Sequence, residues 1–181
     1  MRRRNIINAM EKHNFQEDVK CQLEEIENTV KNFYKRKRMF AEKMDELLTE
    51  EQRLLLWEYG GMCTGGETGA RAKKFAKKLT GSLTEKVAHL NEDDHFYKVE
   101  LNDDGTITAY CYCHCLQYRI EEPEKKCEVK TKTPSAYGCA AGAAFCNIKM
   151  ALGIDARIKS IDYPQEGDGR KYMPFVIEVM R

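Results

Sequence analysis

Near His95 the spacing of apolar residues changes from three-four to two, and that change sets the fold class. Upstream, Val19, Leu23, Ile26, Val30, Phe33, Tyr34, Met44, Leu47 and Leu48 recur at helical spacing. The stretch Gln16 to Leu48 holds no glycine and no proline, so it predicts one long amphipathic helix. Within it, Lys35-Arg36-Lys37-Arg38 reads as a solvated face. Thr49-Glu50-Glu51-Gln52 and Ser82-Leu83-Thr84-Glu85 each fit a capping box, which predicts a helix start at each. Another helix is expected from about Glu67 to Gly81, after the glycine-rich loop Gly60 to Gly66.

Downstream of His95, Tyr97, Val99 and Leu101 alternate with Lys98 and Glu100, as in a half-buried strand. Asn102-Asp103-Asp104-Gly105 is a hairpin signal, because Asp-Gly accepts positive φ at little cost. The return strand, Thr106 to Cys113, carries Ile107, Ala109, Cys111 and Cys113 on one face. Ser135 is expected to cap an alanine- and glycine-rich helix from Ala136 to Leu152, closed by Gly153. Small residues on every side mark that helix as buried. Ala156 to Tyr163 and Tyr172 to Met180 read as the last two strands. The sum is an α+β chain: a helical N-terminal half packed with a C-terminal antiparallel sheet and one buried central helix. Residues 1–94 form the helical region and 95–181 the cysteine-rich α+β region, expected to pack as one unit.

Bulk composition narrows the functional classes. Charged residues make up 33% of the 181, of mixed sign, with a formal net charge of +1. That balance gives no electrostatic footprint for nucleic acid. No apolar run approaches the roughly 18 residues of a membrane span. The start, M-R-R-R-N-I-I-N, lacks the apolar core of a signal peptide, so the expected location is cytoplasmic, where thiols stay reduced.

Against that background stands a cluster of thiols. Cys111, Cys113, Cys115, Cys127, Cys139 and Cys146 are six of the eight cysteines, within 36 residues. In a reducing compartment such density points to thiol chemistry or a metal rather than a disulfide scaffold. In a straight strand Cys111, Cys113 and Cys115 would stand roughly 6.5 Å apart on one face. Sulfurs sharing a zinc lie under about 4 Å apart, so the strand must bend or end for them to chelate. Cys139 reads as a first-turn residue of the central helix, where the dipole favours thiolate. Cys63, in its glycine-rich loop, can approach from the helical half. Candidate zinc ligands are therefore Cys63, Cys113, Cys115 and Cys139. Candidate ligand-wall residues are Cys111, His114, Tyr137, Gly142 and Cys146. Simple core packing is the competing explanation, since free cysteine behaves as a small buried hydrophobe.

Tyr137-Gly138-Cys139-Ala140-Ala141-Gly142, Met150-Ala151-Leu152-Gly153-Ile154, Ile158 to Ile161, Gly167-Asp168 and Phe175-Val176-Ile177-Glu178-Val179 together form a pattern. It resembles bacterial proteins of the 4-vinyl reductase (hydrocarbon-binding) type and the related L-2-amino-thiazoline-4-carboxylic acid hydrolase-like proteins. The resemblance covers the C-terminal part only. It departs from the pattern in two places: no cysteine precedes the final strand, and Tyr137-Gly138-Cys139 keeps one thiol where such relatives often show Tyr-Cys-x-Cys. It implies an α+β small-molecule-binding fold and leaves the reaction open.

Three functions fit the sequence. The first is a cytosolic protein that binds a small, partly apolar molecule beside the central helix, with a cysteine-rich site that can hold zinc. The second is a hydrolase of a carbon–nitrogen bond in a small cyclic substrate, using a Cys thiolate or zinc-bound water. The third is a structural zinc protein acting through a partner, with a homodimer through the long N-terminal helix as one such arrangement.

Overall fold

The computed structural model describes residues 3–60, 66–94, 96–111, 135–162, 165–167 and 170–180. Helix α1 (Arg3–Lys12) buries Ile6, Ile7, Ala9 and Met10. It ends where Asn14 turns left-handed at φ 55, with the Phe15 N–H returning to the Met10 carbonyl at 3.0 Å. Helix α2 (Glu17–Thr29) follows, burying Val19, Leu23 and Ile26.

The single long helix expected over Gln16 to Leu48 is instead two. Val30 adopts an extended conformation (φ −85, ψ 99), and α3 (Phe33–Leu47) starts afresh. The restart has a local cause: the Asn32 side-chain oxygen accepts the Lys35 N–H at 2.9 Å, an N-terminal cap. α2 and α3 then pack against each other, so no unbroken helix exists to carry the expected homodimer. The solvated reading of Lys35 to Arg38 is also corrected at one position. Lys37 is only 9% exposed, on the same stripe as the buried Phe40, Ala41 and Met44.

Helix α4 (Glu50–Gly60) begins as expected. The Thr49 hydroxyl accepts the Gln52 N–H at 3.3 Å, and the Gln52 side chain accepts the Thr49 N–H at 2.9 Å. α5 (Gly66–Lys78) ends three residues before Gly81, which turns the chain at φ +97. α6 (Leu83–Asn91) opens with the Ser82–Glu85 capping box.

Strands β1 (Lys98–Leu101) and β2 (Ile107–Cys111) form the expected hairpin, with Gly105 at φ +81. The continuation of β2 to Cys113 lies outside the described residues. Helix α7 (Ser135–Leu152) then runs into β3 (Ala156–Ile161), β4 (Gln165–Gly167) and β5 (Arg170–Val179). Ser135 is already helical, and its hydroxyl donates to Asp45 at 2.6 Å instead of capping. The other end of α7 closes as expected. Gly153 sits at φ +63, and the Ile154 N–H reaches back to the Lys149 carbonyl at 3.3 Å.

The sheet is antiparallel in the order β1-β2-β5-β3, with β4 pairing β5 beyond β3. The gap between β3 and β4 lies opposite Pro174 of β5, whose carbonyl accepts the Asp162 N–H at 2.9 Å. Proline has no N–H to return, so the ladder is interrupted there. Helix side chains reach both outer edges. Asn91 of α6 bonds both the N–H (2.9 Å) and the carbonyl (2.7 Å) of Val99 in β1. Glu58 of α4 accepts the Ile158 N–H of β3 at 2.7 Å.

One buried apolar cluster runs through both halves of the chain. Ile6, Phe40, Trp57 and Leu90 from the helical half share it with Ile107, Ile148, Phe175 and Ile177. α7 packs against α3, α4, α5 and the sheet. Gly138 lets α4 come close: a Cβ there would collide with Nε1, Cε2 and Cδ2 of the Trp57 ring.

Candidate ligand site beside the central helix

The site is built on α7 and the end of β2. Alternation along β2 turns Ile107, Ala109 and Cys111 to the buried face. The Cys111 thiol donates to the Met173 carbonyl of β5 at 3.6 Å. Burial, with a smaller contribution from the Cys139 thiol, pushes this thiol up to about 12. The Cys139 thiol on α7 is thus close enough to Cys111 to act on it electrostatically. Because α7 starts at Ser135, Cys139 falls in its second turn rather than its first, and the dipole argument for a thiolate weakens.

Cys146, seven residues on, meets a different partner. Its thiol donates to the Glu58 carbonyl of α4 at 3.3 Å. Burial raises this thiol too, the Glu58 carboxylate adds to the rise, and Lys149 opposes it. Gly142 is buried between these two cysteines on α7. Tyr137 lies at the start of the helix, and its side chain is outside the described residues, as are Cys63, Cys113, Cys115 and His114. Cys139 is thus the one zinc candidate that can be located. Among the described residues no three His, Cys, Asp or Glu side chains converge as a metal site. Cys21, Cys111, Cys139 and Cys146 are free thiols.

Two polar residues at this helix escaped the sequence reading. Glu58 is a half-buried carboxylate that accepts the Ile158 N–H beside a bulge between Ile158 and Ser160. Burial raises its pKa, and the hydrogen bond to Ile158 with the charges of Lys149 and Arg157 pulls it back. Asn147 is wholly buried, and among the described residues neither atom of its carboxamide has a hydrogen-bond partner. The signal for Asn147 was present in the sequence: it is the one carboxamide in a helix rich in small and apolar residues.

Away from α7, a cleft of ≈ 490 Å³ lies between the α1–α2 turn and the α3–α4 junction, lined by His13, Phe15, Leu47, Glu51 and Leu55 among others. None of the sequence candidates lines it. No helix among the described residues is long and apolar enough to cross a membrane. No family model, curated protein or solved structure matches the chain.

Proposed function

We propose that this chain is a cytoplasmic small-molecule-binding protein whose ligand sits beside α7, in a site that cysteines line or brace. The state of the thiols carries this reading. Cys111 is held at about 12 and Cys146 above its ordinary value, so both stay protonated at neutral pH. A protonated, buried thiol acts as a small wall group, whereas a nucleophile needs the thiolate. Binding is therefore favoured over hydrolysis of a carbon–nitrogen bond by either of these cysteines.

A zinc ion would take Cys139 together with thiols from Cys113, Cys115 and Cys63. Those four sulfurs are the number that a closed zinc site uses. A bound zinc would deprotonate its thiols outright, so metal content separates this version from a dry thiol-walled site.

Trp57 is the chain's one tryptophan and touches α7 at Gly138, which makes it a built-in reporter. Titration with toluene and cyclohexanol should change its emission saturably, and Gly142→Leu should abolish the change. Elemental analysis of the same preparation reports zinc. No saturable response, combined with fast alkylation of Cys146 and turnover of a cyclic amide, would replace this reading with the hydrolase.

A further inference from the structure

Asn147 is 0% exposed, and among the described residues neither its Oδ1 nor its Nδ2 has a hydrogen-bond partner. Folded proteins seldom leave a buried amide with both atoms unpaired, because its lost hydration goes uncompensated. Its helical neighbours give it nothing. Ala143 lies one turn before it and Ala151 one turn after, with Ala140 and Ala144 on the same side. All four are buried and apolar, so none of their side chains can offer Asn147 a hydrogen bond.

We propose that Asn147 is the polar anchor of the ligand site beside α7, and that the ligand presents a neutral lactam-type edge. This rests on the small-molecule reading above. A carboxamide offers an acceptor and a donor side by side, so its best partner offers one N–H beside one C=O. The alanine row supplies no countercharge, and a carboxylate or ammonium buried there would stand uncompensated. A flat neutral ring can lie against the small residues and meet both amide atoms at once.

The test uses the full chain with asparagine labelled by nitrogen-15. The Asn147 side-chain signal is identified by its absence from the spectrum of Asn147→Leu, a variant of similar volume. Asn147→Ala serves as a second variant should leucine overpack. The probes are 2-pyrrolidone and N-methyl-2-pyrrolidone, which keeps the acceptor and loses the donor. The expected result is that 2-pyrrolidone shifts the Asn147 amide and raises the melting temperature of the wild type only. N-methyl-2-pyrrolidone should bind at least about tenfold more weakly, as one lost hydrogen bond dictates. Equal binding of the two probes overturns the lactam edge. Binding retained in both variants overturns the role of Asn147 and leaves the small-molecule reading standing. An amide that exchanges magnetisation with water and moves with neither probe is held by a trapped water, which also overturns the proposal. The Trp57 titration with apolar compounds then decides the broader reading by itself.

Discussion

The Trp57 ring fills the volume that a side chain on Gly138 would need, so α4 and α7 meet at the distance set by one missing methyl group. Trp57 is 1% exposed and has no free direction in which to move. The helical half and the sheet half are joined at this point, because α7 also packs on β2, β3 and β5.

Gly138→Ala should therefore destabilise the chain by about 1–3 kcal/mol through overpacking. Urea unfolding followed by Trp57 fluorescence measures this directly, and a wild-type midpoint would show that α4 and α7 are not in this contact. Gly142→Leu should cost a similar ~1–3 kcal/mol, for the same reason.

The pH response of Glu58 has a definite sign. Burial raises its folded pKa above the ordinary 4.5, so the folded state binds the proton more tightly than the unfolded chain. Its contribution is fully present below about 4.5 and is lost as pH rises through the raised value. Glu58→Gln keeps an acceptor for the Ile158 N–H and removes the titration. The stability difference between wild type and Glu58→Gln should shift against the wild type as pH climbs from about 4.5 toward neutrality. A difference that stays flat over that range would show that Glu58 is solvated.

Cys111 should resist modification. With its thiol at about 12 and 1% of its surface exposed, iodoacetamide at pH 8 should leave it unlabelled in the folded chain. Exposed Cys21 should label promptly under the same conditions. Peptide mass spectrometry separates the two sites, and equal labelling would contradict the packing of Cys111 between β2 and α7.

Removing the Ser82 hydroxyl deprives the Glu85 N–H of its acceptor and the Glu85 carboxylate of one donor. Ser82→Ala should cost about 1 kcal/mol, the usual worth of an N-cap. Thermal unfolding at neutral pH checks it.

Much of the fold was legible because it is written in local chemistry. The two capping boxes, the Asp-Gly hairpin, the Gly153 stop and the alternation in β2 all depend on residues within a few positions of each other. The break at Val30 was hidden because the apolar spacing continues across it from Ile26 to Phe33. Only Asn32, acting as a cap, marks the restart. At the site, sequence pointed to α7 and to the cysteines on it. It missed Glu58, whose meaning comes from Ile158, 100 residues away. The bond from Cys146 to the Glu58 carbonyl of α4, across 88 residues, was equally out of its reach.

The side chains that meet the two sheet edges also bear on how copies of this protein behave at high concentration. An open strand edge recruits the next chain through its bare amides. Here Asn91 already takes both backbone groups of Val99, and Glu58 takes the Ile158 amide, so each edge has fewer groups left for an incoming strand. Growth of a continuous β-ribbon from chain to chain would first have to dislodge an entire helix, α6 on one side or α4 on the other.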